Sequence, residues 1–428
     1  MTSRLPEERS PTTRGDCEPE RETRPLHVLA ASWLAYATFY FPRLAFAASK
    51  LGLLADPALV VSRGFLGFAD ALFLAVYATG QFVSGALAER LGPRRLVILG
   101  LVVAAAGALL LAAAAGPTWL IAALVVQGAA QSTGWSAVCS DVARATPPER
   151  RGTAFGVLST SYAFGALAAP VLLGWFAYAL AGSWRAAPLA SAAIALAVAA
   201  VYAFWLAGWR RPSPHALVER TAGDLRTVLR LPSVWLLSLA DFLLKPVIYA
   251  TVFWAPVLVR DALPGLSPAM ATTLAGSLGL AGFVGPLLAG LVSDRWFGSR
   301  RAFPTILALL GCALTLALYP VAAATGAWWG LAIDLLLLGV TLYAAESLIV
   351  GVAAAESGRQ QAALAVGIVN GIGSAGGILG GLVPGLVRGE SLFFLLALAT
   401  LAAVFPLLPV VRGERHPVAA SLRARDRG

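Results

Sequence analysis

Long apolar runs, each closed by a few polar residues, repeat along all 428 residues of the chain. Twelve can be counted, at 26–50, 65–88, 94–115, 117–141, 152–180, 184–207, 232–259, 268–292, 302–324, 327–355, 361–387 and 390–411. Each is roughly 20 residues or longer, the length a helix needs to cross a ~30 Å hydrocarbon core. The single long polar gap, "GWRRPSPHALVERTAGDLRTVLR" at 208–230, divides them six and six. The pattern predicts an all-α membrane protein of twelve transmembrane helices. Its organisation is a polar tail (1–25), a six-helix bundle (26–207), a linker (208–231), a second six-helix bundle (232–411) and a closing tail (412–428).

Composition narrows this further. Only 13% of residues are charged, against about 25% in soluble domains. The net charge of +10 would suggest a nucleic-acid partner in a soluble protein, but here the arginines sit in the short gaps between runs. Gaps after even-numbered runs hold fifteen Arg, and gaps after odd-numbered runs hold five Arg or Lys. The positive-inside bias then puts both termini in the cytoplasm, and no nucleic-acid partner is expected. The opening 24 residues, polar and with six acids against five arginines, read as a disordered tail. They do not suit a cleaved signal peptide, and the run behind them is too long for one. Cys17, Cys139 and Cys312 and the three histidines have no metal-ligand or disulfide spacing, so no metal or cofactor is expected. Heavy Ala, Gly and Leu use with only two lysines suggests a bacterial genome, hence a bacterial inner membrane and its lipid bilayer.

A motif occurs twice. "GALAERLGPRR" (85–95) follows the second run and "GLVSDRWFGSRR" (290–301) the eighth, 205 residues apart. Glycines permit sharp bends and close approach, and the acid at the helix end can pair with arginines of a neighbouring segment. This pair resembles the signature turn of the major facilitator superfamily. It maps onto Gly85, Glu89, Arg90, Gly92, Arg94 and Arg95, and onto Gly290, Asp294, Arg295, Gly298, Arg300 and Arg301. "DVARATPPERRG" (141–152), which begins at Asp141, is similar to the family's second cytoplasmic turn. The resemblance covers about 26–411 and implies two pseudo-symmetric bundles rocking around a central site.

Two basic residues lie deep within runs. Arg43 comes ten residues after Trp33, and Lys245 ten after Trp235. Their offset of 202 is close to the 205 of the motif, so they occupy near-equivalent places in the repeat. A charge in hydrocarbon costs several kcal/mol and usually faces a polar path or a partner. Arg43 can instead snorkel to the outer interface, and Lys245 can pair with Asp241 at i−4. Tyr36, Tyr40 and Arg43 share one helical face. Guanidinium suits phosphate or carboxylate because its planar fork donates two parallel hydrogen bonds. The tyrosines can equally be packing residues.

"SRGFLGFADALFLAVYATGQF" (62–82), "FYFPRL" and "STGWSAVCSD" resemble one branch, the organophosphate:phosphate antiporters. The resemblance implies that Arg43 and Lys245 hold the phosphate, with Tyr40 and Tyr77 at matching places. Aligned on Trp254, the second basic position would fall on Ile248 instead. Gln81 stands where the branch has a lysine, and Tyr162 where it has a histidine. The pocket is therefore less cationic, and a phosphonate, a small phosphate ester or a carboxylate fits as well as a hexose phosphate. Tyr249, Gln127 and Gln131 complete the candidate contacts. Glu346 can carry a coupling proton or act as counter-charge to Arg43 or Lys245, the second role being favoured, and Asp241 shares that candidacy. Asp70 and Asp334 are expected near outer span ends, solvated. "GIVNGIGSAGGILGGLVPG" (367–385) lacks the Walker lysine and reads as close helix packing.

The expected function is a monomeric secondary transporter of a small organic anion, by exchange with phosphate or by proton coupling. The alternative is a proton-driven multidrug or metabolite exporter. No catalytic cluster supports an enzyme.

Overall fold

The computed structural model describes residues 25–147, 150–207, 225–298, 300–356 and 362–414. The expected tails at 1–24 and 415–428, and positions 208–224 of the expected linker, lie outside them. Among the described residues there are helices and no strands. In the first half these are α1 (Pro25–Ala55), α2 (Arg63–Leu91), α3 (Pro93–Ala112), α4 (Pro117–Ala145), α5 (Arg151–Gly174) and α6 (Ala186–Ala207). Then come α7 (Leu225–Leu229), α8 (Pro232–Ala262), α9 (Pro268–Ala275), α10 (Ser277–Trp296) and α11 (Ala302–Ala324). The last four are α12 (Trp328–Glu356), α13 (Ala362–Leu386), α14 (Glu390–Ala402) and α15 (Leu407–Glu414).

Nine helical segments among the described residues are long and apolar enough to cross a membrane. The other three long helices are α1, α2 and α4, of 31, 29 and 29 residues. Between them they bury Lys50, Asp70, Gln127 and Gln131. Polar residues turned inward lower a helix's mean hydropathy without exposing charge to lipid.

Local chemistry sets the ends. Pro93, Pro117, Pro232 and Pro268 open their helices, where the missing N–H costs nothing. Gly92 joins α2 to α3 at φ +82°, a conformation that suits glycine. Three expectations need correction. α1 runs on to Ala55, so Lys50 is inside a helix and not in a gap. The eighth run is broken at Gly276 into α9 and α10, at a point where a methyl on the glycine would meet Val171 and Leu167 of α5 at 2.7 and 3.3 Å. The twelfth run is split between α14 and α15, and α7 falls within the expected linker. α5 also continues as a π-helical turn, Trp175–Leu180, a form often found at functional sites.

The halves meet along α1–α8, α2–α13 and α5–α10. The close contacts gather at one end, where the α1–α2 connection lies; we call it the far end and its opposite the termini end. A methyl on Gly67 of α2 would sit 2.9 Å from the Leu382 carbonyl oxygen, and one on Gly279 of α10 would strike the Leu167 backbone nitrogen at 2.2 Å. At the termini end, added methyls on Gly156, Gly290 and Gly367 would face open space.

Candidate functional site

Arg43 sits at mid-depth, ~27 Å along α1 from its start and ~18 Å from its end at 1.5 Å per residue. Its helix carries Pro42 immediately before it. The guanidinium carbon lies 4.7 Å from the Tyr77 ring centroid and 5.4 Å from that of Tyr40. Tyr36 and Tyr249 also lie near it. Among the described residues it has no carboxylate partner and no hydrogen bond. On its far side is an enclosed cavity of about 10 Å³, lined by Arg43, Phe46, Asp70, Phe73, Gln127 and Phe253 among others, space for roughly one water. Ring contacts run from Tyr77 to Phe73, on to Phe253 and then Tyr249, linking α2 to α8. Phe73, Phe253 and Asp70, which share that cavity with Arg43, lie toward the far end from it.

Lys245 is handled differently. It is 5% exposed and donates to Glu346 Oε1 of α12 at 2.6 Å. Asp241 at i−4 is also a charged neighbour of Lys245, but among the described residues the two make no direct hydrogen bond. The Asp241 carboxylate, 1% exposed, lies against the α13 backbone at Gly373, and neither of its oxygens has a hydrogen-bond partner among the described residues. Pro246, next to Lys245, removes one helical hydrogen bond at Phe242, and Gly376 of α13 lets that carbonyl pack closely. Gly373, Gly376, Gly377 and Gly380 all touch α8 in this way.

Between the two cations lie tyrosines. Tyr162 is a neighbour of Glu346 and Lys245. Tyr249 neighbours Arg43, Lys245 and Glu346, and Tyr343 neighbours Arg43, Tyr162 and Glu346. Tyr36 packs at 4.8 Å against Trp135 of α4. Tyr40, Tyr77, Tyr162, Tyr249 and Gln81 are half-buried, and Glu346 keeps 27% of its side chain exposed, so the centre retains accessible surface. Gln127 and Gln131 are used elsewhere: their amides donate to the Ala104 and Phe39 carbonyls at 2.8 and 2.9 Å, tying α4 to α3 and α1. Sequence reasoning missed Tyr343 and Trp135, whose apolar surroundings make them read as packing residues.

Sequence reasoning also missed the closure at the far end. Lys50, wholly buried, is paired with Asp70 of α2 and donates to the Phe253 carbonyl of α8 at 2.9 Å. Its ammonium lies 4.1 Å from the Trp254 ring centroid. Arg63 pairs with Asp261 at 2.6 Å, and Trp254 Nε1 donates to the Gly381 carbonyl at 3.2 Å. Of these, Lys50 to Phe253 and Arg63 to Asp261 cross between the halves, whereas Lys50–Asp70 and Trp254–Gly381 each lie within one half. Asp70 and Asp334 are thus buried, contrary to the expectation that they are solvated. Beyond the spans, Asp56 accepts from Trp184, the Ala58 amide and Arg185 at 2.9, 3.0 and 3.0 Å. Those bonds, Trp184's first, hold its carboxyl below the usual range.

At the termini end, the Arg94 Nε donates to both Asp141 oxygens at 3.2 and 3.3 Å, and the Tyr202 hydroxyl to Oδ2 at 3.1 Å. In the second copy, Arg301 donates to the Gly351 carbonyl of α12 at 3.1 Å. Arg90, Arg95, Asp294, Arg295 and Arg300 are exposed. Gly85 and Glu89 lie within α2, and Gly290 within α10.

A family model, Major Facilitator Superfamily, matches residues 28–381, and the chain belongs to that family. It is a multi-pass membrane protein. The membrane sensor protein UhpC of Escherichia coli is 28% identical over 297 residues, covering 64% of this chain and 66% of the sensor's length, just under two thirds. A probable hexose phosphate transport protein of Chlamydia muridarum is 24% identical, covering 79% of each chain. The resemblance to the organophosphate:phosphate antiporter branch is thus supported by relatives as well as motifs. Among solved structures, a bacterial homologue of the human lysosomal transporter Spinster, inward-facing and unoccupied, aligns with a TM-score of 0.72 at 17% identity, covering 90% of this chain and 95% of that one. It shares the fold.

Proposed function

We propose that the protein is an alternating-access carrier for a small organic anion, a phosphate ester or phosphonate first and a carboxylate second. Arg43 is the principal ligand. The observation that carries this is a mid-depth guanidinium resting on Tyr40 and Tyr77 that makes no ion pair among the described residues, the Asp70 carboxylate across the small cavity being held by Lys50. Such a charge needs a polar path or a partner, and an incoming anion supplies one. Lys245 is the second cation, held by Glu346 until the cargo arrives. Tyr36, Tyr162, Tyr249 and Gln81 line the route. With the termini in the cytoplasm of a bacterial inner membrane, the far end is the outer face, and this conformation is closed outward by the bond from Lys50 to the Phe253 carbonyl and by Arg63–Asp261. The Arg94–Asp141–Tyr202 cluster steadies the opposite gate as the bundles rock. The carrier works as a monomer in the bilayer and leaves its cargo chemically unchanged; the countersolute is phosphate or a proton.

Flux in proteoliposomes tests this: Arg43→Ala should insert normally and lose uptake of alkyl phosphates and phosphonates. Undiminished uptake at both limiting and saturating solute would overturn it. A second reading follows from the UhpC relatives, which are named sensors: the same pocket binds the anion and reports it. Arg43-dependent binding without flux would favour that reading.

A further inference from the structure

Asp241 of α8 stands beside the proposed anion site and holds nothing there. It is 1% exposed, and among the described residues neither of its oxygens has a hydrogen-bond partner. An isolated carboxylate is strongly unfavourable in such a place, whereas the neutral acid needs no donor. Its carboxyl lies against the α13 backbone at Gly373, and α13 has no titratable residue along its length. The charged groups around it are Lys245 on its own helix and Glu346 of α12. Lys245 already donates to Glu346, so the neutral acid fits this packing. Yet Lys245 is four residues on, the spacing at which an acid pairs with a following base. Asp241 therefore has a resting place in each protonation form, against α13 as the acid and toward Lys245 as the carboxylate.

We propose that the anion travels together with a proton and that Asp241 carries that proton. This rests on the function proposed above and names its coupling ion. Arg43 and Lys245 bring two positive charges to the centre. Without cargo, they are balanced when Glu346 and Asp241 are both ionised. With a monoanion on Arg43, they are balanced when one of the two acids is neutral. Glu346 is kept ionised by its bond to Lys245, which leaves Asp241 to take the proton. Unpaired buried charge is strongly unfavourable. The sealed carrier therefore crosses either without cargo and with Asp241 ionised, or with anion and proton both aboard. On release the Asp241 O–H bond breaks, its proton goes to water at the accessible edge of Glu346, 27% exposed, and the carboxylate turns to Lys245. One proton per monoanion makes the cycle electroneutral.

Proteoliposomes holding the full-length protein, with no exchangeable anion inside, test this. The probes are ethylphosphonate and its methyl monoester, the second a monoanion at every pH used, so that a proton moving with it is the protein's. Both should accumulate when the outside is made more acidic than the lumen, and a membrane potential imposed alone should drive neither. Asp241→Asn, a lasting stand-in for the neutral acid, should lower pH-driven accumulation at least ~10-fold, about 1.4 kcal/mol. It should keep probe-for-probe exchange and Arg43-dependent binding. Should that variant fold poorly, binding to the wild type decides. Affinity for the monoester should weaken as pH rises, by up to ~10-fold per pH unit, the slope of one linked proton; a flat profile overturns the proposal. Accumulation that survives Asp241→Asn overturns it, as does loss of binding and exchange in a folded Asp241→Asn protein. If the wild type exchanges the probes through Arg43 but a pH gradient drives no uptake, the anion carrier stands and the proton coupling falls. If neither probe binds, or Arg43→Ala changes nothing, both fall.

Discussion

Asp141 in the first half and Glu346 in the second are 205 residues apart, the spacing of the repeated turn motif, yet they hold different cations. Asp141 clamps Arg94 at the termini end and leaves the central Arg43 without an acid among the described residues. Glu346 clamps the central Lys245, while the turn arginine Arg301 reaches a backbone carbonyl. Helix register accounts for the exchange. Asp141 lies 24 residues beyond the start of α4, and Glu346 18 beyond the start of α12. Six residues lift the second acid ~9 Å toward the far end, within reach of mid-membrane. The repeat therefore builds one open cation and one guarded cation. A guarded cation contributes to the fold, whereas an open one is available to a ligand.

That contrast can be broken in order of expected size. Glu346→Ala takes the hydrogen-bonded acid from the buried Lys245, leaving Asp241 as its charged neighbour, and should cost up to about 3–5 kcal/mol, read as a marked fall in melting temperature in detergent. Arg43→Ala, which removes a charge with no ion-pair partner among the described residues, should leave the melting temperature unchanged or raised. Equal losses in the two variants would erase the distinction. Replacing both Lys245 and Glu346 by Met should recover most of the single-variant loss, because a buried pair exchanged for apolar groups is often neutral. Asp141→Ala should cost about 1.5–3 kcal/mol, the scale of hydrogen bonds to charged groups; denaturant titration with and without Tyr202→Phe measures how much of it passes through the tyrosine. Asp56→Asn should be the smallest, under ~1 kcal/mol. Because the Asp56 pKa is depressed in the fold, its contribution is present above the unfolded carboxylate value of ~3.9. It is lost as pH falls through the lower folded value, so the gap between variant and wild-type melting temperatures should close in strong acid.

Much of this was legible in the sequence, for physical reasons. Long apolar runs admit few structures in a membrane, so each expected segment has a helix or a pair of helices at its place. Arg43 and Lys245 stood out because charge deep in such runs is rare and both follow a tryptophan by ten residues. The partner of Lys245 was not legible: an acid four residues away is always in view along the sequence, whereas Glu346 is 101 residues distant and arrives only by helix packing. Closing the first run at Lys50 assigns that lysine to the outer gap, although "KLGLLA" beyond it is still mostly apolar and α1 continues through it; Asp70 lies near the outer end of α2 as expected, and what the sequence does not show is its burial. Gln127 and Gln131 show the limit of side-chain type as a signal, since an amide that ties helices together and one that greets a solute look alike in sequence. The break at Gly276 lies inside an uninterrupted apolar run, so no local pattern announces it.

The account rests on Arg43 as the anion's ligand. Equilibrium binding of ethylphosphonate to purified wild-type and Arg43→Ala protein tests it most directly, with melting temperatures taken in parallel. The expected result is an affinity loss of ~30-fold or more, the equivalent of removing about 2 kcal/mol of charge-pair interaction, with the melting temperature held. Unchanged affinity in a folded Arg43→Ala protein would contradict it.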